Sequence, residues 1–442
     1  MDLSVRFVDF IGQNNLILPE QRILLALSGG LDSMVLGHLL IDAGYTFGVA
    51  HCNFQLRGTE SEADMAFVEQ WCAQNGIPCW VQRFDTRLHT TQTGDSIQMA
   101  ARTLRYNWFE QLRMAEGFDV MATAHHLNDA LETVLLQFSR GTGLDGLVGM
   151  PIKQNHHIRP LLFATRAELE AYAQARALTW REDQSNADDH YDRNFIRHHI
   201  IPQFEQLRPA FLSIGARNLA RLQATRANLQ YFTQQFLGEN PMRLEIARLA
   251  DLPAPAAFLH DWLKPYGFDR AQTQQIADSL TSIGMQWESK SGCKLLVDRG
   301  VLLLEMAESA AKNEQITLQE DDLMVRLPDR SQLFMIPVDL PAEFPDGKVA
   351  VLVDAAKLQF PLTLRHWQPG DVFQPLGMDG KHQKLQDFFT NQKHTRFDKD
   401  KTWILVNGDG AIIWVLGFRP DERFKIRPDS SKGLKINYIE LA

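Results

Sequence analysis

Across the first 150 residues, short apolar runs alternate with stretches in which apolar side chains recur at helical spacing. That alternation predicts a parallel sheet whose strands are joined by crossover helices. The predicted strands are Arg22–Leu27, Thr46–Ala50, Cys79–Phe84 and Asp119–Thr123. Between them, Glu60–Asn75 places Ala63, Phe67, Trp71 and Cys72 at helical spacing, as packing against a sheet requires. The fold class that follows is α/β, a doubly wound parallel sheet. From Pro202 to about Leu249 the pattern turns helical, and the run KLLV, Asp-Arg-Gly, VLLLE across Lys294–Glu305 predicts a β-hairpin. Past Pro337, Pro341 and Pro345, short strands containing Gly and Trp mix with one helix. The expected division is 1–216 for the α/β domain, 217–340 for a mainly helical middle domain with a hairpin, and 341–442 for a small mixed α+β domain.

Length agrees with several cores, since 442 residues exceed the roughly 100–200 of one ordinary domain. A composition of 45% hydrophobic and 22% charged residues is that of a globular protein and excludes a fibrous or disordered chain. No stretch approaches the roughly 18 apolar residues of a membrane span, and an N-terminus carrying Asp2, Arg6 and Asp9 is no secretory signal, so a cytoplasmic location is expected. Cys52, Cys72, Cys79 and Cys293 form no Cys-x-x-Cys pair, which leaves reduced structural thiols. A net charge of −9 argues against blanket nucleic-acid binding. The C-terminal end differs, with 13 Lys and Arg against 10 Asp and Glu from Pro361 to Ala442.

Chemistry first shows where the strand Ile23–Leu27 runs into Ser28-Gly29-Gly30-Leu31-Asp32-Ser33 and then the helical pattern of Met34, Leu36, Leu39 and Leu40. Two glycines allow a tight turn that brings N–H groups close to phosphate oxygens; the serines add hydroxyls and the helix N-terminus adds positive potential. No Lys follows the glycines, so this is not a Walker loop, and the loop does not read Gly-x-Gly-x-x-Gly either. The plain alternative is a strand-to-helix turn with Asp32 favourable in the first helical turn. SGGxDS after a first strand resembles the PP-loop of the N-type ATP pyrophosphatases, which cleave ATP between its α and β phosphates to make adenylates. The resemblance implies an adenine-nucleotide PP-loop sheet, ATP as cofactor, and Asp32 organising Mg2+ or the leaving pyrophosphate.

After the fourth strand comes Ala124-His125-His126-Leu127-Asn128-Asp129-Ala130-Leu131-Glu132-Thr133, then Ser139-Arg140-Gly141-Thr142-Gly143. Strand C-termini are where open α/β sheets bind ligands, so this segment and the phosphate loop should line one crevice. Asp129 and Glu132 share a helical face, where paired carboxylates bind a cation or an amine; they also fit an N-cap with its capping-box partner. Arg102 and Arg105, three apart, could hold phosphates or a carboxylate, or simply form a solvated or salt-bridged face.

The segment resembles the HHxxDQxET…RGxG motif of the tRNA(Ile)-lysidine synthetase family, with Asn128 and Ala130 as departures. Further matches are His51-Cys52-Asn53 with Leu56-Arg57-Gly58, Ala101-Arg102 with Arg105-Tyr106, and Ile158-Arg159-Pro160-Leu161-Leu162. Glu182-Asp183-Ser185-Asn186 and Arg193-Asn194-Phe195-Ile196-Arg197 follow, ending at Ile201-Pro202, with Phe195 in place of a usual Arg. Between Arg365 and Lys425, RHWQPGDVFQPLGM, KLQDFF and WVLGFRPDERF resemble the family's last domain, with Thr395 and Trp403 where prolines are usual.

This resemblance implies a carbon–nitrogen ligase. ATP adenylates the wobble cytidine of the CAU anticodon of tRNA(Ile), and free L-lysine then attacks C2 through its ε-amine, leaving lysidine and releasing AMP. Codon reading changes from AUG to AUA, and identity from Met to Ile. Catalysis would fall to Asp32, His126, Asp129 and Glu132, and nucleotide contact to Ser28, Gly29, Gly30, Leu31, Asp32, Ser33, Ala50 and Arg102. Substrate and RNA contacts would be Arg105, Arg140, Arg193, Asn194 and Arg197, with both later domains holding tRNA. A basic cluster of Lys381, Lys384, Lys393 and Arg396, interleaved with Phe388 and Phe389, suits an RNA backbone, the phenylalanines being at least half buried. The rivals are a PP-loop tRNA thiolase, which no paired cysteine spacing supports, and a non-catalytic ATP- and RNA-binding protein. The oligomeric state stays open, a homodimer included.

Overall fold

Ile23, Leu24 and Leu25 are all fully buried. A strand apolar on both faces must be covered on both, which is the condition of a central parallel strand. In the computed structural model, which describes residues 2–182, 192–306, 315–340 and 345–440, these residues form β1 (Ile23–Ala26). It is flanked by β2 (Phe47–Asn53), β3 (Cys79–Arg83) and β4 (Val120–Ala122), with β5 (Lys153–Gln154) and β6 (His157–Ile158) completing a six-stranded sheet in the order β3-β2-β1-β4-β6-β5. Every pairing is parallel except β5 with β6. Strand order reverses at β1, which opens a crevice beyond the C-terminal ends of β1 and β4. The expected doubly wound α/β sheet is what the chain builds. Asp183, Ser185 and Asn186 of the sequence motif lie outside the described residues.

The connecting helices are α1 (Leu3–Gln13), α2 (Leu31–Asp42), α3 (Thr59–Gln74), α4 (Thr86–Thr93), α5 (Ile97–Glu116), α6 (Leu127–Ser139), α7 (Leu144–Leu147) and α8 (Arg166–Ala175). One face of the sheet packs on Phe7 and Ile11 of α1, Met34 and Val35 of α2, and Val68 and Trp71 of α3. The other packs Leu24 and Ala50 against Phe109 and Leu112 of α5. Gly48 in β2 marks a close approach, since a Cβ there would lie 2.6 Å from Trp80 and 2.7 Å from Phe118.

The chain divides into two compact units, Met1–Leu229 and Gln230–Ala442. In the second unit the predicted hairpin is present as β9 (Lys294–Asp298) and β10 (Val301–Glu305). It forms the centre of a four-stranded sheet edged by β7 (Arg243–Glu245) and β8 (Gln286–Glu288), strands of three residues that are too short to show a periodicity. Helices 255–263 and 270–278 cover it through Leu259, Trp262 and Ile276. Further on, β11 (Ile316–Leu318), β12 (Met324–Arg326), β13 (Gln332–Asp339), β14 (Ala350–Asp354), β15 (Leu362–His366), β16 (Val372–Phe373), β17 (Gln383–Lys384), β18 (Trp403–Val406), β19 (Ile412–Val415), β20 (Arg419–Pro420) and β21 (Lys432–Ile439) follow. They form sheets β11-β15-β18-β19-β20 and β12-β13-β21-β14, which share one core, and a two-stranded pair β16-β17. Strands β12 and β13 precede residue 340 yet belong to the sheet of β21, so a division at that residue cuts through a hydrogen-bonded sheet. Strand β18 is buried on both faces: Trp403 and Leu405 face the shared core, while Ile404 and Val406 pack with Phe373, Phe388 and Phe389.

Filling the gap at Gly48 tests this packing. Gly48→Val should destabilise the first unit by about 1–3 kcal/mol, as overpacked cores do. A denaturant midpoint equal to wild type would mean that Trp80 and Phe118 leave room.

Candidate active site

The phosphate loop owes its shape to its first glycine. Gly29 has φ +88°, a left-handed conformation that side chains resist, and a Cβ there would press to 3.3 Å from Val68. Ser33 Oγ donates to the Gly30 carbonyl at 2.9 Å and accepts the Ser28 N–H at 3.2 Å, closing the loop on itself. Gly30 is the N-cap of α2 and no described side chain caps that helix, so first-turn N–H groups stay available to an anion. The loop opens on a cavity of about 530 Å³ that Ser28, Gly30, Leu31, Asp32, Ser33, Ala50 and Arg105 line together with His125 and Arg166. Gly29 shapes the turn without lining the cavity.

Strand β4 delivers the second cluster. A bridge between His126 and Leu161 keeps the backbone extended up to His126, so α6 starts there and not at Asp129. Asp129 consequently caps the helix from its third position, accepting the His126 N–H at 3.0 Å, and Glu132 is released from capping. His126 Nε2 lies 3.7 Å from Asp32 and 3.5 Å from Asp129, joining both motifs in one site.

Glu132, with 1% of its side chain exposed, accepts from Arg193 Nε at 2.8 Å and from Arg197 Nε at 2.7 Å. The same guanidinium groups reach Asp129 at 2.8 and 3.4 Å. Arg193 and Arg197 lie four apart across a short helix, Asp192–Phe195, and a π-helical turn, Ile196–Ile200, and so share a face.

The two nearest carboxylates are pushed in opposite directions. Burial raises the Asp32 carboxyl above its ordinary range, outweighing His126 and Arg166 beside it. Burial also opposes the charge of Asp129, but His126 and Arg193 prevail and hold its carboxyl low. Such divergence between neighbouring acids is characteristic of sites that use them differently. Asp32 Oδ1 is buried and has no hydrogen-bond partner among the described residues, whereas Oδ2 accepts from Arg166 Nη1 at 2.7 Å.

Arg166 carried no signal in the sequence reading. It begins α8 beneath a capping box of Thr165 and Glu168, and its N–H donates to Asn128 Oδ1 at 3.0 Å. The departure at Asn128 thereby ties α6 to α8. Ala130 is buried beside Leu131 and Leu219, and Phe195 packs at a tilt against His199 with ring centroids 4.8 Å apart. Tyr106, Thr123, Trp180 and Arg181 also line the crevice without having been singled out for it.

Arg105 stands 5.2 Å over the Phe54 ring, and Arg102 stands 4.9 Å over Tyr106, lining a neighbouring cavity with His157 and Arg159. Arg140 pairs with Asp192 at 2.7 Å and does not line the crevice, and Asn194 lies in the short helix with Arg193. In the second unit, Lys381, Lys384, Lys393 and Arg396 are exposed, while Phe388 and Phe389 are core. Thr395 caps the helix Arg396–Lys401, and Trp403 Nε1 donates to Asp329 Oδ2 at 3.1 Å, so both departures from proline have structural partners.

All four cysteines are free thiols, and burial pushes the Cys52 thiol, on the crevice wall, up to about 12. That thiol is no nucleophile at neutral pH. Among the described residues no group of three or more His, Cys, Asp and Glu side chains could hold a metal by itself.

Residues 3–204 match the PP-loop domain family, and residues 238–307 match the TilS substrate binding domain. A tRNA(Ile)-lysidine synthase of Parabacteroides distasonis is 36% identical over 434 residues, spanning 97% of this chain and 98% of its own. That of Bacteroides thetaiotaomicron is 38% identical over 427 residues, spanning 96% and 97%. A third, from Porphyromonas gingivalis, is 38% identical over 420 residues, with 92% of each chain covered. With a phosphate loop, a carboxylate cluster and this likeness along almost its whole length, the chain belongs to the tRNA(Ile)-lysidine synthase family.

Proposed function

We propose that this enzyme ligates lysine to C2 of the wobble cytidine in the CAU anticodon of tRNA(Ile), consuming ATP and releasing pyrophosphate and AMP. The observation that carries this reading is the meeting of an uncapped helix N-terminus with Asp32, His126 and Asp129 in one crevice. The loop N–H groups and the Ser28 and Ser33 hydroxyls suit the ATP phosphates. The cytidine C2 oxygen attacks the α-phosphorus, the bond to the β-phosphate breaks, and pyrophosphate leaves. The lysine ε-amine then attacks C2, the bond from C2 to the adenylate oxygen breaks, and AMP leaves.

An ammonium must lose a proton before it can attack, so a carboxylate has to hold it and accept that proton. Asp129 fits the task, being partly accessible and held anionic. Glu132 is matched on both oxygens by buried guanidinium contacts. We assign it to anchoring Arg193 and Arg197 toward the substrates. Asp32 Oδ1, without a hydrogen-bond partner among the described residues, fits Mg2+, which takes one or two carboxylates alongside substrate phosphates and would neutralise phosphate charge. We further infer that the first unit, Met1–Leu229, is the catalytic part and that the second, Gln230–Ala442, holds tRNA, the basic cluster near Lys393 gripping the RNA backbone. A cytoplasmic site of action accords with this substrate, and no described helix is long and apolar enough to cross a membrane.

Purified protein, ATP, labelled lysine and tRNA(Ile) with a CAU anticodon should give lysine transfer with stoichiometric AMP, and absence of transfer would sink the assignment. Asp32→Ala should abolish AMP release. Asp129→Ala should cut lysine transfer by about 10²–10³-fold, the scale of removing one preorganised polar group, while pyrophosphate release falls far less. Wild-type turnover in both variants would return these carboxylates to structural roles.

Asp32 also has a stability signature. Its folded-state carboxyl is raised, so the folded chain holds that proton more tightly than the unfolded chain. The resulting contribution is fully present below the unfolded value of about 3.9 and is lost as pH rises through the folded one. Asp32→Asn should therefore raise the denaturation midpoint at neutral pH, with the difference vanishing in acid. A variant less stable at pH 7 would contradict the burial argument.

A further inference from the structure

Thr123, His125, His157 and Arg159 form a hydrogen-bonded line between two cavities. Thr123 and His125 line the phosphate crevice, and His157 and Arg159 line its neighbour. The proton positions along this line follow by elimination. A guanidinium only donates. Arg159, 6% exposed, donates from Nη1 to the Pro151 carbonyl at 2.7 Å, and its Nη2 lies 3.2 Å from His157 Nδ1. His157 Nδ1 is thus the acceptor, and its ring carries the proton on Nε2, 2.7 Å from Thr123 Oγ1.

Thr123 is 7% exposed, and the two histidines are the hydrogen-bond partners found for its hydroxyl among the described residues. Having accepted from His157, the hydroxyl has one acceptor left for its own proton, His125 Nδ1 at 2.9 Å. His125 must then carry its proton on Nε2, at the ring edge away from Thr123. Burial, reinforced by the charge of Arg159, pushes the His125 and His157 rings down to about 4 and about 3, so both are neutral at physiological pH.

We propose that Arg159, acting through His157 and Thr123, fixes His125 as an Nε2–H donor in the crevice, where it hydrogen-bonds a phosphoryl oxygen of the nucleotide. The inference rests on the adenylation reading for its ligand, and on the hydrogen-bond line alone for its geometry. A neutral donor fixed in advance meets growing negative charge with no reorganisation at the moment of reaction. His125 would touch the nucleotide, whereas Thr123, His157 and Arg159 are positioning residues.

The test has two arms. In ¹⁵N-histidine-labelled full-length protein, with His125 assigned by difference from His125→Gln, the ring-nitrogen shifts should report the Nε2–H form. Arg159→Glu replaces a donor with an acceptor, so every bond in the line should reverse and His125 should switch to the Nδ1–H form. An Nδ1–H or imidazolium His125 in the wild type, or a folded Arg159→Glu protein with an unchanged His125, would overturn the proposal. This arm needs no turnover and so stands apart from the assigned reaction. In the second arm, Thr123→Val should lower kcat for AMP formation about tenfold with KM for ATP within about twofold, and Thr123→Ser should restore it. Wild-type kcat in Thr123→Val would also overturn the proposal, whether or not Arg159→Glu folds.

Discussion

Glu132 is the point on which the catalytic unit turns. Its buried carboxylate is satisfied by Arg193 and Arg197, which arrive from the far end of the same unit. A charge so enclosed would be untenable without them, and removing one partner from such a cluster costs about 3–5 kcal/mol. The contact therefore does more than bind two helices. It fixes the start of α6, and with it the positions of His126 and Asp129, relative to a segment some sixty residues later in the chain. Glu132 is thereby enclosed, while Asp129, which shares both arginines, keeps a partly exposed side chain.

Two acids close together, one driven toward neutrality and one held anionic, form a polarised site. Desolvation acts on both: His126 and Arg193 outweigh it at Asp129, whereas His126 and Arg166 do not at Asp32, whose buried Oδ1 has no partner among the described residues. That imbalance is unfavourable in itself. It is the kind of local cost that folded proteins keep where a ligand relieves it.

What the sequence discloses and what it conceals divide along contact distance. Ser28–Ser33 and His125–Glu132 are contiguous, so strand, turn and helix signals place their chemistry directly. The sheet and its crevice were legible because β1 is uniformly apolar and the intervening helices are long. Arg166 was not, because its meeting with Asp32 joins positions 134 residues apart. The start of α6 was displaced for a related reason: a bridge to Leu161 holds His126 extended, and no local pattern shows that bridge. Arg193 and Arg197 were recognised as important, yet their carboxylate partners follow from the fold. The three-residue strands β7 and β8 lie below the length at which alternation can be read.

Strand β18 serves two cores at once, Trp403 and Leu405 on one side and Ile404 and Val406 on the other. A slip of one residue would exchange an indole for a branched aliphatic chain in both, so its register is guarded twice over. The helices outside it are fastened by Leu385, Phe388, Phe389 and Phe397, leaving Lys384, Lys393 and Arg396 on the solvent side. Anchorage and surface charge are therefore carried by different residues. The charge pattern of this face can drift while the scaffold beneath it stays the same.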